Sequence, residues 1–272
     1  MPNPENLFKP LSEGCFKKMI YSGMKMLCMS LAFIFCSTPA ISAEEKPVSE
    51  TGPEVVILLH GMARTERSMR PLEAHLAENG FSVINTGYPS TEETVETIAE
   101  QHLAAMVEQC RKKNALKIHI VTHSLGGIVT RQYLQNHALP EGSRIVMISP
   151  PNKGSELADA FHKLFIYDWL NGPAGQVLGT GPESLPNTLK PVKGEIGVIT
   201  GDASFNPLYS WLIPGPDDGK VSVESAKLHE MKDFLVVTSS HSFIMRNNKV
   251  LKQVVYFLRN GKFDHESESG RL

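Results

Sequence analysis

The chain lacks most of the features that would mark a metalloprotein, a nucleic-acid binder or a disulfide-stapled domain. Its 272 residues include only four cysteines. Cys15, Cys28 and Cys36 all precede residue 44, which leaves Cys110 alone in the remainder, and one cysteine closes no internal disulfide. Cys110 ends an amphipathic helical pattern, where a small apolar filler is expected rather than a reactive thiol. There is no basic excess: 27 Lys and Arg against 29 Asp and Glu leave a formal net charge of -2. Such a balance offers nothing to neutralise a phosphate backbone, so nucleic acid is excluded as a partner. The histidines show no metal-ligand spacing, and no repeat of helical-array length is present. No apolar run reaches the roughly 20 residues of a comfortable membrane span.

What is present begins with a segment of a different kind. Met24-Lys25-Met26 opens the apolar stretch Leu27–Cys36, the small residues Ser37–Ala43 follow, and Glu44-Glu45 come next. A basic start, a short apolar run and small residues at a cleavage point predict a secretory signal peptide over residues 1–43, with Met24 as an alternative start. The protein is therefore expected to be exported, to a periplasm or beyond. An uncleaved N-terminal segment holding it at a membrane is the alternative. Residues 44–53, with Pro47 and Pro53, read as a linker, and 263–272 as a polar tail.

Between them, residues 54–262 read as one domain. With 41% hydrophobic residues the chain can bury a core without a metal or a staple. Val55–Leu59 is a continuous apolar run of the kind found in strands buried on both faces. Further strands are expected at Phe81–Asn85, Lys117–Thr122, Arg144–Ser149, Glu195–Thr200 and Asp233–Val237. Helices are expected at Ser68–Glu78, Thr91–Arg111, Leu125–Asn136, Ser155–Leu170 and Arg246–Arg259. Ser90-Thr91-Glu92-Glu93 predicts a capping box, and Gly80 and Gly261 stop the helices before them. This alternation predicts an α/β fold with a mostly parallel sheet of about six strands and helices on both faces. Residues 171–194 are rich in Gly and Pro; together with the preceding helix, 156–194 read as a cap or lid, with disorder as the alternative. Leu157, Phe161, Leu164, Phe165 and Trp169 form an apolar stripe, read as packing on the sheet, with a lipid-facing lid as the alternative.

The chemistry is concentrated at strand ends. Acyl transfer by serine requires an exposed hydroxyl on a tight turn, a base to take its proton and donors for the oxyanion. His123-Ser124-Leu125-Gly126-Gly127 lies between an expected strand and an expected helix, which is the setting of a nucleophile elbow. Gly126 supplies the small residue needed after the serine, whereas Thr122 stands where a glycine is usual. His60-Gly61-Met62 follows the first buried strand, where the Met62 N–H can join the Leu125 N–H as an oxyanion hole; His60 is read as a brace for this loop. Pro216–Val223, which holds Asp217 and Asp218, and Ser239–Ser242, which holds His241, follow later strands, so serine, acid and histidine appear in that order along the chain.

These pieces, with the turn Ser149-Pro150-Pro151-Asn152-Lys153-Gly154-Ser155, resemble the α/β-hydrolase superfamily and its bacterial lipase-like branch over residues 54–260. The resemblance implies a serine hydrolase that cleaves carboxylic esters through an acyl-enzyme, without a cofactor or metal. Ser124 would be the nucleophile, His241 the base and Asp218 the orienting acid. Asp218-Gly219-Lys220-Val221 resembles the acid turn of lipases, while Asp217 beside it and Asp202 after its strand remain alternative acids. A small-molecule or lipid ester is the expected partner, with transient contact with a membrane surface left open. An amidase or acyltransferase using the same triad, or a binding module without catalysis, are the competing functions.

Overall fold

The computed structural model describes residues 52–161 and 172–266. The signal segment expected over 1–43, the linker up to residue 51, and the tail beyond 266 lie outside the described residues. So does the stretch 162–171, which holds Leu164, Phe165 and Trp169.

Among the described residues six parallel strands form a single sheet: β1 (Glu54–Leu59), β2 (Ser82–Asn85), β3 (Lys117–His123), β4 (Arg144–Ile148), β5 (Glu195–Gly201) and β6 (Asp233–Val237). Their order is β2-β1-β3-β4-β5-β6, and every neighbouring pair is parallel. Alternation along β1 explains how an apolar run without polar gaps is used. Val55, Ile57 and Leu59 enter one core, whereas Val56 and Leu58 enter the other. Successive side chains point to opposite faces, so a strand covered on both sides must be apolar at every position.

The first core lies beneath α2 (Val95–Thr97), α3 (Ala104–Lys112) and α4 (Leu125–Tyr133), with a π-helical stretch Ile98–Leu103 joining α2 to α3. Cys110 is buried and free in this core, and burial raises its thiol above the ordinary value. The second core lies under α1 (Arg70–Glu78) and the C-terminal helix Asn248–Asn260. That helix ends where Gly261 takes a left-handed φ of 68°, a conformation that glycine adopts without a Cβ clash.

The capping box expected at Ser90–Glu93 does not form. Thr94 caps the helix instead, its hydroxyl accepting from the Thr97 N–H, and the helix begins at Val95. The Ser90 hydroxyl accepts from the Ala63 N–H at 3.1 Å. A tertiary demand from the loop after β1 thus outweighs the local signal. The Gly- and Pro-rich stretch after residue 171 holds short helices, including Leu185–Thr188. Ala174 and Leu178 are buried within the first core, so this part of the expected cap is packed on the domain.

The strand order reverses between β1 and β3. Loops leaving those two strands therefore diverge, which opens a crevice at the carboxyl ends of the sheet, where open α/β sheets place their ligands. The loop from His60 to Arg64 and the turn at Ser124 both open into it.

Candidate active site

Ser124 sits at the junction of β3 and α4 with φ 52° and ψ -120°. A side chain other than glycine rarely occupies such a conformation, which costs on the order of 1–3 kcal/mol and persists only where the surroundings impose it. They do so here. The Ser124 N–H donates to the Ile148 carbonyl at 2.9 Å, extending the β3–β4 ladder, and its carbonyl accepts from the Gly127 N–H at 2.9 Å. Strand and helix are thereby locked on either side of one residue.

The glycines beside the serine are dictated by contact. A Cβ on Gly126 would come within 2.8 Å of the Leu59 carbonyl oxygen, so α4 packs directly on the end of β1. A Cβ on Gly127 would lie 2.9 Å from Pro150 and 3.5 Å from the Thr122 hydroxyl. Thr122 is fully buried, and Gly127 leaves the room that a glycine at 122 would otherwise supply. The departure from the usual elbow is compensated by its neighbour.

Opposite Ser124, the loop after β1 is held by His60 and Tyr88. Their rings stack at 4.0 Å. The Tyr88 N–H donates to His60 Nε2 at 3.3 Å, and the Tyr88 hydroxyl donates to the His60 carbonyl. His60 Nδ1 therefore carries the proton and faces the Gly61 carbonyl at 2.9 Å. Burial lowers the His60 imidazole, which favours this neutral form. Gly61 must be glycine, since a Cβ there would meet His123 Nδ1 at 2.8 Å and the Ser124 Cβ at 3.2 Å. Met62 follows on the cavity wall. Leu125 opens α4, and an N–H in the first helical turn has no acceptor within its own helix.

Of the three aspartates, Asp218 is the one brought to His241. His241 Nδ1 lies 2.8 Å from Asp218 Oδ2, and both side chains are almost wholly buried. The other Asp218 oxygen accepts from the N–H groups of Lys220 and Val221 at 3.0 and 2.9 Å, and the His241 N–H donates to the Asp218 carbonyl at 2.8 Å. Burial works to raise the Asp218 carboxyl, but the His241 ring and the donors around it outweigh that and hold it below the ordinary value. The buried Ser149 hydroxyl adds to this lowering, although it meets no acceptor in full hydrogen-bond geometry. Asp217 is committed elsewhere, accepting from the Ser210 hydroxyl at 3.0 Å and the Gly219 N–H at 2.7 Å. Asp202 is exposed.

Ser124, His241, Met62 and His123 line one cavity of about 140 Å³, with Leu157 and Leu178 on its apolar side. The turn Pro150–Ser155 forms part of its wall. The Ser155 hydroxyl donates to the Lys220 carbonyl at 3.0 Å, and the buried Arg131 donates to the Asn152 and Pro186 carbonyls at 2.9 and 3.0 Å. Three polar lining residues carried no role in the sequence reading: His123, Arg64 and Lys220. A long side chain on a loop gives no local signal of where it points. Among the described residues no cluster of His, Cys, Asp and Glu could hold a metal ion.

Known proteins share this outline. The thermostable monoacylglycerol lipase of Bacillus sp. (strain H-257) is 30% identical over 105 residues, covering 36% of this chain and 42% of that protein. The chain thus matches less than half the length of that relative. The mature lipase BlEst2 of Bacillus licheniformis superposes with a TM-score of 0.63 at 20% identity, over 79% of this chain and 94% of that one. The esterase Pf2001 of Pyrococcus furiosus gives a TM-score of 0.53 at 19% identity, over 76% and 83% of the two chains. Likenesses at these identities speak for the fold, and the protein has the α/β-hydrolase fold. The model of one family covers residues 37–199, more than half of the chain, and the protein belongs to that family, described as a domain of unknown function, DUF7379.

Proposed function

We propose that the protein is a serine hydrolase that cleaves carboxylic esters through an acyl-enzyme, with Ser124, His241 and Asp218 as its triad. The observation that carries this reading is the buried 2.8 Å contact between His241 and Asp218 on the wall of the cavity that Ser124 enters from a strained turn. With Nδ1 donating to Asp218, His241 presents Nε2 as the acceptor for the serine proton. Ser124 Oγ attacks the ester carbonyl carbon while its proton passes to Nε2. The oxyanion so formed is received by the Met62 and Leu125 N–H groups and the positive end of α4. Collapse expels the alcohol, which takes the proton from His241. Water then attacks the acyl-serine, His241 again acting as base, and releases the acid.

The substrate is a small-molecule or lipid ester. Phe205 and Trp211 are each 81% exposed, and Leu208 and Phe243 are also exposed. Phe243 adjoins Ser242, whose hydroxyl accepts from the cavity residue Arg64. These exposed apolar side chains, with Phe205 and Phe243 in edge contact at 6.0 Å, support transient contact with a lipid surface.

A fluorophosphonate probe combined with nitrophenyl esters of graded chain length tests the reading. An adduct on Ser124, and ester turnover abolished by Ser124→Ala, are expected; an adduct on Ser149 or Ser239 with Ser124 untouched would overturn it. Turnover of amides alone, or acyl transfer to an added alcohol in preference to water, would shift the assignment to an amidase or acyltransferase. Export with removal of the leader near Ala40–Ala43 belongs to the same proposal. N-terminal sequencing of protein from the cell envelope tests it, and an intact Met1 or Met24 on cytoplasmic protein would refute it.

A further inference from the structure

Among the described residues, the lining of the cavity beside Ser124 includes two cations and no carboxylate. Arg64 arrives from the loop after β1, and Lys220 from the turn after Asp218, so two separate segments converge on one space. Among the described residues neither forms an ion pair. The Arg64 guanidinium donates to a neutral acceptor, the Ser242 hydroxyl, at 3.2 Å. Burial and then the Arg64 charge lower the Lys220 ammonium, although much of the Lys220 side chain stays exposed. Both cations also act on His123 in the cavity wall. The carboxylate that favours the Lys220 charge is Asp218, which His241 and two backbone N–H groups already occupy.

Two like charges at one cavity, neither in an ion pair among the described residues, repel each other. An anion placed between them relieves the repulsion and gains charge-assisted hydrogen bonds. Building on the ester-hydrolase reading above, we infer that Arg64 and Lys220 form an anion-binding subsite next to Ser124, and that the preferred substrates are esters bearing a phosphate or carboxylate group. Arg64 supplies a planar fork suited to two oxygens of one anion, and Lys220 a point charge from a separate segment of the lining. The apolar side at Leu157 and Leu178 is left for the acyl chain. The subsite thus sorts the two ends of the substrate: acyl group toward the leucines, anionic alcohol portion toward the cations.

The test compares 1-butanoylglycerol with 1-butanoylglycerol 3-phosphate, which differ in the phosphate alone. The wild-type protein is expected to show a kcat/KM at least tenfold higher for the phosphate ester, carried mainly by KM, with the preference shrinking as salt is added. Arg64→Gln and Lys220→Gln are each expected to reduce the phosphate ester's kcat/KM about tenfold more than that of the neutral ester. Lys220→Gln keeps the backbone N–H that supports Asp218. Equal losses on both esters of a pair, or no wild-type preference in either the butanoyl pair or the corresponding micellar pair, would overturn the subsite. Micellar monoacylglycerol and its 3-phosphate at matched long chain length separate a lipid headgroup from a free phosphate ester as the source of the anion. Preference in micelles but not among the butanoyl esters assigns the subsite to lipid headgroups; the reverse assigns it to soluble esters.

Binding of the two butanoyl esters to Ser124→Ala, followed by calorimetry, needs no turnover. Tighter binding of the phosphate ester that is lost on adding Lys220→Gln upholds the subsite even if no ester is cleaved. Equal binding, with no preference between the micellar esters either, rejects the subsite even if Ser124 proves to be the nucleophile.

Discussion

His123 Nε2 donates a hydrogen bond to the backbone carbonyl of His241 at 3.1 Å, and the two rings lie 4.7 Å apart. The residue before the elbow serine thus holds the loop of the proposed base in place. Burial, followed by the neighbouring His241, drives the His123 imidazole well below its ordinary range, so it stays neutral with the proton on Nε2.

Replacing His123 by Phe keeps a ring in this slot and removes the donor. The expected result is a loss of stability of about 1 kcal/mol, the typical net value of one hydrogen bond. A roughly tenfold drop in kcat should accompany it, because slack in the His241 loop misplaces Nε2. Urea melts and steady-state kinetics on a nitrophenyl ester measure both. Unchanged kcat with lowered stability would reduce His123 to a packing role.

The three aspartates separate by what each one holds. Asp218→Asn should cut turnover by several orders of magnitude with little change in melting; in a serine protease of another fold the corresponding change cost about ten-thousand-fold. Asp217→Asn should instead lower the melting temperature, since its carboxylate accepts from Ser210 and Gly219. Asp202→Asn should change neither property. Kinetics and melting of the three variants beside His241→Ala decide the matter, and full activity in Asp218→Asn would move the acid to another residue.

Gly126→Ala tests the packing of the elbow. The added methyl would meet backbone, the Leu59 carbonyl at 2.8 Å, rather than the end of a flexible side chain. Overpacking of this kind costs about 1–3 kcal/mol. Because the same shift moves Ser124, fluorophosphonate labelling should slow along with the loss of stability. Normal labelling in a destabilised variant would show that the turn absorbs the methyl without moving the serine.

Much of this fold could be read from apolar patterning, because strands buried on both faces must be apolar throughout. Val55–Leu59 lies in a strand for that reason. Expected elements whose limits depend on tertiary contacts were less legible. Ser90 has the composition of a capping box, yet its hydroxyl accepts from Ala63, 27 residues away, and no local rule ranks the two partners. At the candidate site, motif order located Ser124 and His241. The choice among Asp202, Asp217 and Asp218 turned on side-chain direction within a turn, which residue type does not encode. Arg64 and Lys220 were hidden for the same reason, and His123, at the end of β3, because its partner His241 lies far along the chain.

The fold also implies sensitivity to acid, because it buries histidines in their neutral form. His119 is fully buried on β3, and its Nδ1 accepts from the Arg144 N–H at 2.9 Å. Burial pushes its imidazole down to about 4; Glu54 opposes that shift, while Lys117 and Arg144 add to it. In the unfolded chain a histidine titrates near 6.5. Between those two values the unfolded state binds the extra proton, so stability rises with pH across the window and falls as pH drops through it. At pH 5 the loss from His119 alone is about 2 kcal/mol relative to neutral pH. His60 and His123, also lowered by burial, act in the same direction. Asp218 loses its contribution as pH falls from the ordinary carboxylate value toward its own lowered one, under this window. Urea unfolding at pH 7 and pH 5 should therefore show a marked loss for the wild-type protein. His119→Asn, which retains an acceptor for the Arg144 N–H, should be less stable at pH 7 but lose about 2 kcal/mol less on acidification. Equal acid losses in the two proteins would mean that His119 does not stay neutral in the fold.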